Sequence, residues 1–389
     1  MSIFTGPRTS GTAGSLVPLG AGIGAGTSGG TTTGAGPGGV RAGAHDTATT
    51  SAQQEKRVQA ELFMSEIGFK SGRKRVLSIR MGSAPFASGC YLCRTRESSS
   101  RDPINPAPGE PQLIAEIYGT TNVGLIRADN QDAFLIANLE TGDIATTSAP
   151  SVISVHTAPF IMIVADGVGG AASGALASSI ATETILGELH RWWRKVPKRT
   201  PESIEAALKR GIDAANREIF QTASTSPEHH GMGTTATLAL VIEGEAFIAQ
   251  VGDSRAYLVR KGAAKQLTKD QSFVQRLIDA GRMTAKEAAQ SEHRNIILQA
   301  LGPEEKVVTD FYRVKLENDD AMVLCSDGLS NQVSNEDIAR IAKGSGKPQD
   351  VCNALIEEAL HTGAPDNVTV VAARLRTVDA DYHRAVSGN

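Results

Sequence analysis

Five aspartates stand beside short apolar runs, at the points where predicted strands begin or end. Asp-Gly and Asp-Asn are common turn dipeptides, so any one of these residues alone has an ordinary structural interpretation. Five together favour another, because carboxylates gathered at sheet ends repel one another and lose solvation unless cations accompany them. All-oxygen ligation without His or Cys suits Mg²⁺ or Mn²⁺. The five residues are Asp132, Asp166, Asp253, Asp327 and Asp366.

The glycines that follow one of these aspartates strengthen the metal hypothesis. In Asp166-Gly167-Val168-Gly169-Gly170 the missing side chains let the backbone approach a cation, and the Gly167 carbonyl is itself a candidate ligand. Gly169 and Gly170 would also open the next helix without blocking the site. No lysine follows, so the segment is not a GxxxxGK[ST] phosphate loop and nucleotide binding is not favoured.

The elements that must position these residues predict an α+β fold with antiparallel sheets. Groups of strands joined by hairpin turns are interrupted by paired helices, which is not the pattern of a doubly wound parallel sheet. The run 159–165 is predicted as a fully buried strand that ends at Asp166-Gly167. Strands are predicted over 112–118, 133–137, 159–165, 234–242, 245–251, 255–260, 321–325 and 368–374, and helices over 173–195, 201–223, 271–281, 284–291 and 349–360, with another opening at a capping box from Ser334 to Asp337.

Composition divides the rest of the chain. Of its 40 glycines, 14 fall in the first 44 residues among Ala, Ser and Thr, which predicts a disordered arm over 1–50. Residues 51–111 are predicted as a poorly structured linker that holds a short helix, a basic run and several prolines. A folded domain over 112–378 and a tail over 379–389 complete the predicted organisation.

Charge and cysteine usage exclude several classes of protein. The net charge of −3 provides no global attraction for nucleic acid or an anionic membrane, and no apolar run approaches the roughly 20 residues that span a bilayer. Four cysteines cannot form a dense disulfide framework in 389 residues, which favours a cytoplasmic protein. Cys90 and Cys93 form a CxxC, but Cys325 and Cys352 lie far away in predicted core elements, so free thiols are preferred over a zinc site.

Eight segments, in order, resemble the metal-dependent PP2C (PPM) family of protein serine/threonine phosphatases, and its bacterial branch most closely. The resemblance runs from about 114 to 376. It implies an αββα four-layer sandwich, in which two antiparallel β-sheets are flanked by helices, and a flap at about 271–299 beside the active site. The segments are GLIRADNQDAF (124–134), VADGVGG (164–170), GMGTTAT (231–237), VGDSRAYLV (251–259), LTKDQSFVQRLIDAG (267–281), RNIILQALG (294–302), LCSDGLSNQV (324–333) and APDNVTVV (364–371).

The resemblance also implies metal ligands, residue by residue. Asp166, with Gly167, would bridge two metals, and Asp327 and Asp366 would complete the ligands of the second. Asp132 would act mainly through metal-bound waters. The expected cofactors are therefore two Mg²⁺ or Mn²⁺ ions, with a third that is held more loosely.

Two further residues receive roles in the same way. Asp253 would help to hold the third metal together with Asp327. Arg127 would grip the substrate phosphate, a task that suits the fixed fork of a guanidinium. A water activated between two cations would then attack phosphorus in line, with Asp166 and Arg127 as the catalytic residues.

Several positions depart from the family pattern. Val168 stands where eukaryotic members have a histidine proposed as general acid, so the proton donor to the leaving group is unassigned. His229 and His230 are candidates by residue type only. Gln131 replaces a common Glu and removes one carboxylate near the metals, and Gln271 replaces a His at a position that is not predicted to be catalytic.

The predicted function is hydrolysis of phosphoserine and phosphothreonine on proteins, in opposition to Ser/Thr kinases, by a cytoplasmic monomer that binds neither nucleic acid nor membrane. Two alternatives stay open at this point. One is a phosphoprotein-binding scaffold or regulator whose N-terminal arm recruits partners, although no expected aspartate is missing. The other is a small-molecule phosphohydrolase, because the chemistry acts on the phosphate itself.

Overall fold

The structure is a computed structural model that describes residues 112–145, 151–154, 158–225 and 227–378. The predicted arm, the linker with its CxxC and basic run, and the predicted tail lie outside the described residues. Within the described residues, no helix combines the length and the apolar character that crossing a membrane requires.

The elements follow one another along the chain in the order given below. They are β1 Gln112–Asn122, β2 Asp132–Asn138, β3 Ile144–Ala145, β4 Ser151–Ser154, β5 Phe160–Val168, α1 Ala171–Lys195, α2 Pro201–Thr225, a 3-10 turn Pro227–His229, β6 Gly233–Thr234, β7 Ala236–Ile242, β8 Glu245–Val251, β9 Arg255–Arg260, β10 Ala263–Gln266, α3 Phe273–Asp279, α4 Ala285–Gln290, β11 Asp310–Lys315, β12 Ala321–Cys325, α5 Asp327–Ser330, α6 Asn335–Gly344, α7 Pro348–His361 and β13 Val368–Val378.

The strands form two antiparallel sheets. One has the order β10-β9-β12-β13-β1-β4, and the other the order β11-β8-β7-β5-β2-β3, with β6 paired to β5. In the first sheet β1 and β13 pair along their whole length, from Gln112 opposite Val378 to Asn122 opposite Val368. The predicted α+β class with antiparallel sheets is confirmed.

Alternation along the central strands explains why the two sheets stack. In β5, Phe160, Met162 and Val164 are fully buried in the core between the sheets. Ile161 and Ile163 point the other way, into the core beneath α1 and α2. A strand that is apolar on both faces must be covered on both faces, which places β5 in the middle of the sandwich.

Helices cover the outer face of each sheet. Along α1, Ala177, Ala181, Ile185 and Leu189 recur every four residues and pack on the second sheet with α2. On the first sheet, α6 and α7 bury residues such as Leu355 against β13. The resulting order of layers, helices, sheet, sheet, helices, is the predicted αββα sandwich.

Several predicted strand limits were wrong. Strand β5 does not end at Asp166-Gly167 but continues to Val168, because Gly167 pairs with Thr234 of β6. The predicted strand 234–242 is divided at Thr235 into β6 and β7. Strands β10 and β11 were not predicted at all, and β1 and β13 are longer than expected.

The predicted helices are present, with limits set by their caps. Ser272 and Thr284 are the N-caps of α3 and α4, so both helices of the predicted flap are shorter than expected. The predicted helix start at Ser334 is confirmed, since its side chain accepts a hydrogen bond from the Asp337 N–H.

Candidate active site

The fold brings the predicted aspartates to one end of the sandwich. Strands β2 and β5 pair in a register that sets Asp132 opposite Asp166. Asp327 follows β12 as the first residue of α5, and Asp366 lies two residues before the start of β13. Asp253 lies in the turn between β8 and β9. Because one antiparallel strand begins at the edge where its neighbour ends, five residues separated by up to 234 positions meet there.

A cavity of about 280 Å³ opens at this edge. Four of the five aspartates line it, as do the candidate residues Arg127 and Gly167 and the flap residue Asn295. The fifth aspartate, Asp132, is not part of this lining and is held by groups behind it. The predicted site residues are thus brought together, with one of them in a supporting position.

Asp132 is held by two hydroxyl groups that sequence reasoning did not find. Its Oδ2 accepts hydrogen bonds from Ser326 Oγ and Thr369 Oγ1, each at 2.7 Å. Its Oδ1 is buried and has no hydrogen-bond partner among the described residues. Burial, in the first place, raises the pKa of the Asp132 carboxyl to about 7, although the two hydroxyl groups oppose this. One carboxylate oxygen is thus without a partner in the described part of the chain and is available to a ligand.

The pKa values of three further carboxyls are shifted in the same direction. Burial raises the pKa of Asp166 well above its ordinary value, and the charges of Asp132 and Asp327 add to the effect. Burial likewise raises the pKa of Asp253, with a contribution from Asp327. For Asp327 the pKa rises to about 6, again mainly through burial, with Asp366 as the next cause. The cavity therefore concentrates negative charge that is poorly solvated.

Arg127 is the cation that meets this charge. Its Nη2 donates to Asp366 Oδ2 at 2.8 Å, and this hydrogen bond raises the pKa of the guanidinium. Asp366 Oδ1 also accepts a hydrogen bond from the Asn367 N–H. A guanidinium has five N–H donors, so Arg127 can hold Asp366 and still face a phosphate.

Asn367 braces the loop that carries Arg127, and it was not singled out from the sequence. Its Oδ1 accepts from the Gln131 N–H, while its Nδ2 donates to the carbonyl oxygens of Val123 and Asp129. The available signal was the Asp-Asn dipeptide, which the sequence reasoning treated only as a turn. A turn asparagine that is 3% exposed and fully hydrogen-bonded serves to position its neighbours.

Gly167 is required by close backbone packing. A Cβ at this position would lie 2.2 Å from the Gly174 carbonyl oxygen and 2.6 Å from that of Gln131. The carbonyl oxygens of Gly167 and Gly170 both face the Gln131 amide, which assigns its Nε2 to that side as the donor to them. The backbone of this segment is therefore drawn into the cavity wall, as the missing side chains suggested.

His229, His230 and Gln271, which were also named from the sequence, lie outside the cavity. His229 Nδ1 lies 3.1 Å from Ser173 Oγ, and neither His229 nor His230 lines the cavity. Gln271 Oε1 accepts from the Gly252 N–H and its Nε2 donates to Asp310 Oδ2. Gln271 therefore joins the turn that carries Asp253 to the flap.

A pair of charges adds to this connection. Arg255 donates from Nε and Nη2 to the carboxylate of Asp270, at 2.9 and 2.6 Å, and the pair is largely buried. Asp270 immediately precedes Gln271 at the base of the flap. The turn that carries Asp253 and the flap are thus tied together by an ion pair and by hydrogen bonds.

The donor set can be tested against a divalent cation. Within the described residues, no three His, Cys, Asp or Glu side chains already form a group that would hold a metal ion. The donors nevertheless fit: they are carboxylate oxygens, one of them an unpartnered atom of Asp132, and they raise one another's pKa across a shared cavity. Mg²⁺ and Mn²⁺ keep several waters, so an ion can be held here partly through water.

Comparison with known families agrees with this chemistry. The model of the family described as Protein phosphatase 2C matches residues 127–362. The serine/threonine phosphatase stp of Listeria monocytogenes is 36% identical over 211 residues, which are 54% of this chain and 82% of that protein.

Solved structures show the same similarity. A serine/threonine phosphatase from S. agalactiae superposes with a TM-score of 0.59 at 32% identity, covering 67% of this chain and 98% of that one. The catalytic domain of the serine/threonine protein phosphatase PstP, in complex with two manganese ions, superposes with a TM-score of 0.53 at 31% identity, covering 68% and 99%.

Proposed function

The chain belongs to the protein phosphatase 2C family of metal-dependent protein serine/threonine phosphatases. We propose that its cavity is where phosphoserine and phosphothreonine on proteins are hydrolysed, through the five aspartates and the arginine that the fold brings together. The observation that supports this most strongly is the convergence of five buried or half-buried aspartates and one arginine from distant parts of the chain. A scaffold that only binds phosphoproteins would not need so many poorly solvated carboxylates.

The proposal assigns the metal ligands by position. Asp166 and the Gly167 carbonyl would hold two Mg²⁺ or Mn²⁺ ions between them, and Asp327 and Asp366 would complete the second. Asp132 would contribute through water, and Asp253 would help Asp327 to hold a third, looser ion. The manganese-containing relative supports two ions of this class, and the all-oxygen donors fit either metal.

When bound, divalent cations lower the pKa of water and neutralise phosphoryl charge. The chain's own residues then act around them. The Arg127 guanidinium orients the phosphate with its free N–H donors, while its bond to Asp366 fixes where the fork points. Asn367 holds the loop on which Arg127 stands, so the angle of approach is set before substrate arrives.

The substrates are proteins phosphorylated on serine or threonine, and the proposal includes Ser/Thr kinases as the opposing enzymes. It also includes a cytoplasmic location and a monomer. Support for a reducing compartment comes from Cys325 and Cys352, which are free and buried. Burial raises the pKa of both thiols, to about 12 for Cys325, which makes them poor nucleophiles.

The proposal is tested by phosphate release from a phosphothreonine peptide by the full chain. We expect turnover with Mn²⁺ or Mg²⁺, none after chelation with EDTA, and a loss of about 10³-fold or more in Asp327→Asn. Asp213→Asn is the matched control, because Asp213 pairs only with Lys209 on the surface of α2. Equal turnover by Asp327→Asn and the wild type would contradict the assignment.

A further inference from the structure

A second cleft adjoins the catalytic cavity and extends beyond the residues that carry the chemistry proposed above. Its volume is about 510 Å³, and it shares Arg127, Asp327 and Asp366 with the cavity. Beyond this shared edge, its lining includes Ile126 and Arg294. We call it the flank cleft. A peptide whose phosphate lies at Arg127 must place neighbouring residues within a few ångströms, at the mouth of this cleft.

One wall of the flank cleft exposes apolar surface. The side chain of Ile126 is 74% exposed and that of its neighbour Leu125 is 60% exposed. Their loop is not loosely placed, because the Leu125 N–H donates to the Ala364 carbonyl oxygen at 2.9 Å. Gly124 (φ 79°) packs so closely that a Cβ would lie 2.2 Å from the Asp366 carbonyl oxygen. A fixed loop that presents two consecutive apolar side chains to solvent is a candidate contact surface.

The lining of the flank cleft also includes a cation that no acid pairs with in the described part of the chain. Arg294 belongs to the flap, is exposed, and makes no side-chain hydrogen bond or ion pair with any residue in the described part of the chain. Two arginines of β9 differ: Arg255 pairs with Asp270, and Arg260 with Asp320. Asp366, at the shared edge, is already paired with Arg127. The far part of the flank cleft is therefore open to an anion.

We propose that the flank cleft binds the residues adjoining the phosphoresidue of the substrate and selects acidic side chains there. Arg294 would pair with an Asp or Glu of the peptide, and Ile126 would pack against its methylene groups. The proposal rests on the proposed phosphatase function and adds a substrate class to it. Arg294 acts here as a specificity determinant, because it lies beyond the reacting phosphate.

The test uses three phosphothreonine peptides that differ only in carrying Glu, Gln or Lys at the two positions on each side of the phosphoresidue. Phosphate release by the full chain with Mn²⁺ gives kcat/KM for each peptide. For the wild type we expect Glu to exceed Gln by about two- to fivefold, the range of a partly exposed ion pair, and Lys to fall below Gln. Ratios between peptides cancel any change in turnover common to all of them.

Variants of the flap then assign the preference to one residue. Arg294→Ala should bring the Glu to Gln ratio close to one, and Arg294→Glu should reverse the order so that the Lys peptide is preferred. A reversed preference cannot come from misfolding. Arg282→Ala is the matched control, because Arg282 is an exposed arginine of the same flap that lines neither cavity, and it should keep the wild-type ratios.

Two results would overturn the proposal. One is that the wild type is active but its kcat/KM ratios between the peptides are near one, or that Arg294→Glu leaves these ratios unchanged. This result would leave the proposed function intact. The other is the absence of Mn²⁺-dependent hydrolysis of every peptide by the wild type, which would overturn the proposed function together with the flank cleft.

Discussion

Two groups of buried carboxylates in this protein differ in whether an arginine neutralises each of them. In the first group each carboxylate receives its own arginine. Asp320 is 1% exposed and accepts hydrogen bonds from Arg260 Nε and Nη2, at 2.8 and 2.7 Å, and from the Glu317 N–H. Asp270 is held in the same way by two nitrogens of Arg255. These ion pairs tie neighbouring elements together.

The second group surrounds the catalytic cavity and is short of cations. Arg127 meets Asp366, whereas the pKa values of Asp132, Asp166 and Asp327 are raised by burial and by one another. The chain can match a buried carboxylate when stability requires it. Where carboxylates have no arginine of their own, a bound ion must supply the missing positive charge. The metal-free protein is then less stable, and its affinity for the ion is higher.

The largest expected effect comes from removing a charge of the unmatched group. Asp166→Asn should lower kcat/KM on a phosphothreonine peptide by about 10³-fold or more, since a shared metal ligand is lost. The same change should raise the thermal midpoint of the metal-free protein, because it removes a buried carboxyl whose ionisation is opposed by burial and by the charges of Asp132 and Asp327. Peptide kinetics with Mn²⁺ and thermal unfolding in EDTA measure the two effects.

The opposite signs are the informative part of this prediction. A substitution that merely damaged the fold would lower both activity and the midpoint. If Asp166→Asn kept its activity, or lost stability in EDTA, the interpretation of the cavity as an unmatched charge cluster would be wrong. Asp213→Asn on the surface of α2 should change neither quantity appreciably.

In the matched group, a substitution should lower stability and leave turnover unchanged. Arg260→Met leaves Asp320 buried with no guanidinium, so we expect the free energy of unfolding to fall by about 2–3 kcal/mol. Turnover per folded molecule should stay near that of the wild type, since Arg260 and Asp320 line neither the cavity nor the flank cleft. Urea unfolding and peptide kinetics at low temperature measure these. Arg340→Met, which breaks a surface pair with Asp337, should leave the free energy of unfolding almost unchanged.

The pH dependence of stability should separate the two groups again. Carboxyls whose pKa is raised on folding stabilise the protein while they are protonated, and this contribution is lost as pH rises through the folded pKa. The values are about 7 for Asp132 and about 6 for Asp327, against an ordinary 3.8. The midpoint in EDTA should therefore fall by several degrees between pH 5 and pH 8.

Bound Mn²⁺ should cancel this fall of the thermal midpoint with pH. Added Mn²⁺ binds the ionised carboxylates and so should raise the thermal midpoint more at pH 8 than at pH 5. Asp166→Asn should show a weaker fall in EDTA, since one of the coupled carboxyls is gone. An equal Mn²⁺ effect at both pH values would argue that these groups do not bind the ion.

The aspartates of the unmatched group could be predicted from the sequence, because each lies where the apolar run of a buried strand begins or ends. The side chains that hold these aspartates could not be predicted. Ser326 and Thr369 meet Asp132 only because β12 and β13 pair with Cys325 opposite Val370, a register that no local pattern specifies. Strand β11 escaped notice since its sequence, DFYRVK, mixes charges with half-exposed apolar residues, as edge strands do.

The matched group was missed for a related reason. Arg255 and Asp270 lie 15 positions apart, at the start of β9 and after the end of β10. No local pattern in either segment predicts that the two side chains pair. Local patterns report burial and turns, whereas a pair of charges is made by the tertiary fold. The overall class and the αββα layers were therefore predictable, and the ties between the turn of Asp253 and the flap were not.

The smallest expected effect concerns the hydroxyl groups behind Asp132. Ser326→Ala removes one of two donors to the Asp132 carboxylate and the acceptor of the Thr369 N–H, so it should cost about 1–2 kcal/mol of stability. It should also raise the Mn²⁺ concentration for half-maximal activity a few fold, because Asp132 is then less well oriented. Ser330→Ala provides the control on α5, since Ser330 Oγ is buried without a hydrogen-bond partner among the described residues. Loss of that hydroxyl should leave stability unchanged or slightly higher, and an equal response of both variants would mean that Ser326 has no particular role in holding Asp132.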